Sequence, residues 1–215
     1  MKNLLVGALA SAAVFVMPVT ASYAAESSAN VAVTSNYVFR GQTQTQDGAA
    51  IQGGYDIMQS EDKGWYAGVW GSNVNQGVEI DLYGGWKGIF GNQNKMGYDV
   101  GAILYKYTDS ANTDITEIYG GMSYETAYAK LYMGDGSGIS SYTYIDIGAA
   151  FVVMQDIDLD LHYGRLSSNG GVNDVSAGLS MDVKGYDLGL GLTYEDAGAK
   201  NDIEFFVTVK KEFDL

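Results

Sequence analysis

The chain has 215 residues, among them 29 glycines, 17 tyrosines, one proline and no cysteine. Its formal net charge of -14 argues against nucleic acid as a partner, because phosphate binding requires a basic surface. Without cysteine the chain cannot form disulfides, so strand pairing and the surroundings must stabilise an exported protein of this sequence.

The first 24 residues predict a cleaved signal peptide. Lys2 gives a short basic start, residues 4–19 form an apolar run, and residues 22–24 offer the small side chains that a signal peptidase reads. We expect cleavage after Ala24, which leaves residues 25–215 as a single domain.

Beyond the leader, apolar and polar residues alternate with a period of two, which is typical of β-strands. The alternation predicts twelve strands, at 30–41, 49–59, 65–73, 78–90, 96–107, 114–124, 127–134, 140–153, 157–166, 174–183, 186–195 and 202–215. An even number of strands joined in sequence favours an all-β fold, an antiparallel up-and-down barrel of about 12 strands.

Periodicity alone leaves two architectures open. A soluble secreted β-sandwich or barrel, acting as a binding module, would pack its apolar face into a core. A transmembrane barrel would turn that face to lipid and line its lumen with the polar face. Longer connections at 42–48, 108–113, 135–139 and 167–173, against tight turns at 125–126 and 184–185, favour the membrane barrel with both termini periplasmic.

Aromatic residues and the last segment support the same choice. Aromatic side chains of the apolar face gather near predicted strand ends, as in the interfacial girdles of membrane barrels. They are Tyr37, Phe39, Trp65, Trp86, Tyr98, Tyr124, Phe151, Tyr163, Tyr186, Tyr194 and Phe213. The alternation runs to Leu215. The barrel-assembly machinery recognises a terminal strand with an aromatic last residue, and here the aromatic residue is Phe213, two positions before Leu215. We therefore expect outer-membrane lipid and that machinery as partners, in a Gram-negative bacterium.

Several segments carry a family resemblance. They are 31–41 (VAVTSNYVFRG), 51–55 (IQGGY), 65–73 (WYAGVWGSN), 79–85 (EIDLYGG), 98–101 (YDVG), 116–120 (TEIYG) and 161–164 (LHYG). In these segments the chain resembles the TorF family, and the resemblance extends over essentially all of the mature chain. It implies a proteobacterial outer-membrane barrel that is assigned as a porin without a defined substrate, and it supplies no catalytic residues.

The polar face predicts what the lumen does. The expected lumen-lining residues are Arg40, Glu79, Asp81, Lys87, Asp99, Glu117, Lys130, Asp146, Asp158, Asp160, His162, Asp182, Asp187 and Glu204. Lys106 and Lys210 are assigned to the same face, yet acidic groups outnumber basic ones. A wet pore with this lining would favour small cationic or neutral solutes.

Inward aromatic residues would fill much of the lumen, so a closed structural barrel remains an alternative. Those assigned to the inner face are Tyr66, Trp70, Tyr83, Tyr105, Tyr119, Tyr142 and Tyr144. The sequence does not decide between an open, a gated and a closed barrel, nor does it fix the oligomeric state.

An outer-membrane hydrolase is the enzymatic alternative. His162, the only histidine, shares a predicted face with Asp158 and Asp160, and Glu79 and Asp81 form a second acidic pair. An Asp-x-His pattern together with an acidic pair could activate water in the manner of the omptin proteases. The surrounding sequence does not resemble an omptin, and any polar strand face yields this pattern. We expect a protein that is not an enzyme and that binds no cofactor or metal.

Overall fold

Twelve antiparallel strands close into one barrel in the computed structural model, which describes residues 25–60, 62–90, 96–108, 114–136, 139–168, 171–196 and 201–215. In chain order the strands are β1 (Glu26–Thr34), β2 (Val38–Phe39), β3 (Gln42–Thr43), β4 (Ala50–Met58), β5 (Gly64–Asn73), β6 (Val78–Phe90), β7 (Met96–Tyr107), β8 (Ile115–Tyr124), β9 (Ala127–Gly136), β10 (Ile139–Met154), β11 (Ile157–Leu166), β12 (Val172–Asp182), β13 (Asp187–Asp196) and β14 (Asn201–Asp214). The wall consists of β1 and β4 to β14, which confirms the predicted fold class.

The wall closes where β1 pairs with β14 on one side and with β4 on the other. Val33 lies opposite Val209 of β14 and opposite Ile51 of β4. The amide of Leu215 donates to the carbonyl of Ser27 at 3.0 Å, so both ends of the described chain lie at one rim. We call this the terminal rim, and the opposite one the loop rim. The predicted signal peptide lies outside the described residues, and among those residues no helix is long and apolar enough to cross a membrane.

The apolar face of every wall strand points out of the barrel. Leu190 is 58% exposed while its neighbour Gly191 is buried, and Phe205 is 71% exposed between the buried Glu204 and Phe206. A soluble fold would bury the apolar side chains and expose the charges. The alternative of a soluble sandwich with an apolar core is therefore wrong, and the outer surface suits a lipid environment.

The outward aromatic residues gather mainly at the terminal rim. Of the predicted girdle, Trp65, Trp86, Tyr98, Tyr124, Phe151, Tyr186 and Phe213 lie on the outer face near that rim. Tyr163 and Tyr194 lie on the outer face nearer the loop rim. The two remaining members, Tyr37 and Phe39, are inside the barrel. One rim therefore carries the denser aromatic belt.

The first predicted strand is wrong beyond residue 34. The alternation predicted a strand over 30–41, whereas β1 ends at Thr34 and the chain then turns into the lumen. The long connection predicted at 42–48 is consequently part of a segment inside the barrel. The connection predicted at 135–139 is also wrong, because β9 runs to Gly136 and β10 begins at Ile139.

The terminal rim has the predicted tight turns. Glu125 and Thr126 join β8 to β9, and residues 183–186 join β12 to β13. Glu125 and Lys184 have positive φ values of 53° and 57°, the left-handed conformation that very short hairpin connections require.

The exposed apolar band yields a test of its environment. Leu190→Arg places a charge in the middle of the outer face and should lower the free energy of unfolding by about 2–4 kcal/mol in lipid vesicles. Met154→Arg, at the terminal end of β10, is the matched control and should cost about 0–1 kcal/mol. Denaturant titration in vesicles measures both. Equal effects of the two variants would contradict a lipid-facing band.

Candidate functional site

Residues 35–49 enter the barrel, and we call them the inner segment. Asn36 donates to Glu204 of β14 at 2.8 Å, and Gln42 donates to Glu195 of β13 at 2.5 Å. Arg40 contacts β8, which lies across the lumen from the β1 and β4 strands that carry the segment. A segment that touches opposite arcs of a closed wall must cross its interior. The inner segment therefore divides the lumen.

The inner segment is shaped by a small hairpin. β2 and β3 pair Val38 with Thr43 and Phe39 with Gln42. Arg40 and Gly41 form its turn with φ values of 49° and 83°, as a two-residue hairpin turn with both central residues left-handed demands. Gly41 also approaches Asp174 so closely that an added Cβ would lie 2.8 Å from the Asp174 Cβ. Arginine rarely adopts a positive φ, so its surroundings must hold it there.

Arg40 is held by a bidentate ion pair with Glu117. Its two terminal nitrogens donate to the two carboxylate oxygens of Glu117 at 2.7 and 2.9 Å. The hydroxyls of Tyr142 and Tyr105 donate to the same oxygens, at 2.7 and 2.9 Å. The Glu117 side chain has 0% exposure and that of Arg40 has 10%. Four hydrogen bonds thus satisfy a carboxylate that water does not reach.

Aromatic rings enclose the Arg40 guanidinium. Its central carbon lies 4.1 Å from the ring centroid of Tyr144, 5.1 Å from that of Tyr132 and 4.6 Å from that of Phe39. A cation within about 6 Å of an aromatic face is attracted by the ring quadrupole. We call Tyr105, Glu117, Tyr132, Tyr142 and Tyr144 the guanidinium cage; all five belong to the wall strands β7 to β10.

A buried pair of acidic residues lies beside the inner segment. Glu79 and Asp81 are 2% and 5% exposed, and the Tyr37 hydroxyl donates to Glu79 Oε1 at 3.3 Å. Within the described part of the chain, Glu79 Oε2 and Asp81 Oδ1 have no hydrogen-bond partner. Tyr37 itself packs edge to face on Trp70, with ring centroids 5.5 Å apart. Aromatic side chains therefore lie against the pair, and two of its buried oxygens are without a hydrogen bond among the described residues.

His162 lies between two carboxylates on neighbouring strands. Its Nε2 lies 2.7 Å from Asp174 Oδ1 and its Nδ1 lies 3.0 Å from Asp146 Oδ1. Tyr144 donates to Asp174 at 3.1 Å and so connects this group to the guanidinium cage. The structure brings His162 to Asp146 and Asp174, not to Asp160 as the hydrolase alternative required. Through these contacts at its two ring nitrogens, His162 of β11 connects β10 to β12.

The other predicted lining residues form further groups on the inner face. Lys130 donates to Asp99 at 2.5 Å, and Asp99 also accepts from Tyr66 at 2.6 Å. Nearer the terminal rim, the polar faces of β6 and of β11 to β13 carry Lys87, Asp158, Asp160, Asp182 and Asp187. The predicted residues thus lie in separate groups along the lumen, and the inner segment reaches only those near the loop rim.

One assigned lumen residue points outward. Lys106 shares the outer face of β7 with Val100 and pairs with Asp114 at the loop rim. The hydrogen bond from Lys106 lowers the pKa of the Asp114 carboxyl, which is exposed to solvent. A lysine at a strand end reaches the aqueous boundary from either face, so its charge does not reveal its side.

Sequence reasoning missed several inner residues. Asp174 and Glu195 contact the inner segment, and Tyr132 forms part of the guanidinium cage, but none was assigned to the lumen. Strand parity could have found all three, because each lies an even number of positions from an assigned residue: Asp182, Asp187 and Lys130. No local signal pointed to the contact of Arg40 with Glu117, which are 77 positions apart.

The sequence matches one family model over residues 19–214, that of a bacterial protein family of unknown function named Gcw_chp. The chain belongs to the Gcw_chp family. No curated protein is significantly similar to it in sequence. The family therefore places the barrel among bacterial proteins and assigns it no activity.

Two solved structures share the barrel fold. A protein from a study of the in-meso crystallization of membrane proteins is 9% identical, with a TM-score of 0.64, over 88% of this chain and 84% of that one. The NanC porin is 10% identical, with a TM-score of 0.57, over 87% of this chain and 99% of that one. At these identities the likeness shows the fold alone, and this Gcw_chp protein shares it.

The ion pair between Arg40 and Glu117 should be strongly coupled. In a double-mutant cycle with Arg40→Met and Glu117→Gln, we expect a coupling energy of about 2–3 kcal/mol, the upper range for residues in contact. Urea unfolding in detergent micelles measures it. The exposed pair Lys106 and Asp114 is the control and should show no comparable coupling, because water screens it. Similar coupling in both pairs would contradict a buried Arg40 site.

Proposed function

We propose that this Gcw_chp protein is an outer-membrane porin for small solutes, preferentially cationic or neutral. The closed barrel with an apolar exterior supports the location, and the resemblance to the TorF family agrees with it. The proposal includes a signal peptide cleaved after Ala24, periplasmic termini, insertion by the barrel-assembly machinery and no enzymatic activity. Conduction itself rests on the charge of the lumen.

The excess of acidic side chains on the inner face is the observation that carries the proposal. Its basic side chains in the described residues are Arg40, Lys87, Lys130 and Lys210, with His162 as a further titratable group. Acidic residues on this face occur on β4, β6 to β8 and β10 to β14. Asp56 and Asp160 each have a carboxylate oxygen without a hydrogen-bond partner among the described residues. Such a lining attracts cations and repels anions.

The inner segment makes the conducting path narrow. Glu117, Tyr105 and Tyr144 have 2% exposure or less at the level of Arg40. This occlusion favours a second candidate function, a closed structural barrel. The two candidates differ in one property: a gated porin conducts ions once the inner segment moves, whereas a structural barrel does not conduct.

Fractionation tests the location. The mature chain should appear in the detergent-soluble outer-membrane fraction and should migrate faster on gels before heating than after, as folded membrane barrels do. A truncated chain that lacks residues 1–24 is the control and should stay in the cytoplasm. Recovery of the full chain as a water-soluble periplasmic protein would contradict the proposal.

Bilayer recordings test conduction and its selectivity. The purified protein should conduct, and its reversal potential in a KCl gradient should show preference for K⁺ over Cl⁻. The double variant Asp158→Lys with Asp160→Lys should shift the reversal potential toward anions, because both positions lie on the inner face of β11. Glu125→Lys with Asp156→Lys changes the same charge in two turns of the terminal rim and should shift it less. Absence of conductance at every voltage and salt concentration would leave the structural barrel.

A further inference from the structure

The guanidinium cage is a complete binding site built from wall residues. Its occupant, Arg40, belongs to the inner segment. Glu117 supplies a bidentate carboxylate, the hydroxyls of Tyr105 and Tyr142 hold its oxygens, and the rings of Tyr132 and Tyr144 cover the bound cation. A planar cation is recognised by this combination of a fork-shaped acceptor and aromatic faces. The cage would bind a free guanidinium group with the contacts that these five wall residues make to Arg40.

The occupant is carried by a short hairpin with an unfavourable turn. Arg40 enters at the tip of a hairpin with two residue pairs, and its φ of 49° is unfavourable for a side-chain-bearing residue. Asn36 holds the start of the inner segment to Glu204, whereas the tip is held by Gln42, which donates to Glu195, and by the Phe39 ring, whose centroid lies 6.0 Å from that of Tyr105. These are side-chain contacts, so the tip can leave the cage by breaking them while the strand pairing of the barrel wall stays intact.

We propose that the cage binds the guanidinium group of an incoming solute, and that Arg40 is a tethered occupant which the solute displaces. The inference rests on the proposed porin function and names both its solute class and its gate. When a solute takes the place of Arg40 on Glu117, the tip of the inner segment withdraws and the lumen opens at its narrowest level. A small inorganic cation lacks the planar donors and does not displace Arg40.

The tether sets the concentration at which displacement occurs. A group on a short flexible linker competes with an effective concentration on the order of millimolar. A solute that makes the same contacts as Arg40 must therefore reach about millimolar levels to compete. Removing the Arg40 side chain removes the competitor, so the same solute should bind at lower concentration.

Methylguanidinium tests the site directly in the purified full-length barrel. In Arg40→Ala, methylguanidinium at low millimolar concentration should raise the unfolding temperature in detergent, relative to equal concentrations of NaCl. The double variant Arg40→Ala with Glu117→Gln should lose this shift. Arg40→Ala with Glu212→Gln is the matched control, because Glu212 pairs with Lys210 at the terminal rim, and it should keep the shift. No shift in Arg40→Ala, or a shift that survives Glu117→Gln, would overturn the proposal.

Hydrogen exchange on the wild-type protein provides a measurement that needs no variant to fold. Methylguanidinium should increase amide exchange of the inner segment several-fold over NaCl while exchange of the wall strands stays constant. Unchanged exchange in residues 35–49, or an equal increase in the wall, would also overturn the proposal.

Conductance separates this proposal from the porin function. Wild-type conductance should rise with methylguanidinium; Arg40→Ala should conduct without it and be partly blocked by it. If methylguanidinium binds the cage but no variant conducts, the porin function fails and the binding site remains. If the barrel conducts but neither thermal shift nor exchange responds, the binding site fails and the porin function remains.

Discussion

Strand alternation in a closed wall forces every charge of this barrel either to a rim or into the lumen. The outer face of the wall is apolar over most of its height, so carboxylates such as Glu79, Glu117 and Asp174 are buried together. Buried carboxylates are costly unless hydrogen bonds or cations satisfy them. The positions of Arg40 and His162 follow from that requirement, because Arg40 lies against Glu117 and His162 against Asp174.

Tyrosine side chains fill the space around these buried carboxylates. Its hydroxyl donates to a carboxylate while its ring excludes water from the space beside it, as Tyr83 does for Asp56 at 2.5 Å. Tyr66, Tyr105 and Tyr144 repeat the arrangement at other levels of the lumen. The tyrosines of the described residues therefore serve two environments, since others form the outer aromatic belt.

The wall could be predicted from the sequence because a period of two fixes both the strand and the side of each residue. The inner segment could not be predicted, because Tyr37 and Phe39 continue the alternation of β1. An aromatic residue buried in the lumen and one that faces lipid give the same sequence pattern. The Arg40 site needed a contact across 77 positions, which no local pattern contains. Lys106 was assigned to the inner face but lies on the outer one, because a charged residue at a strand end can also reach water from the outer face.

The position of the inner segment in the chain has a consequence for assembly. It connects β1 to β4, and β1 also forms the closing seam with β14, the last of the described strands. The contacts of the inner segment with β8, β13 and β14 exist only when those strands surround it. Docking of the inner segment and closure of the wall between β1 and β14 are therefore coupled, because the same arrangement of strands completes both.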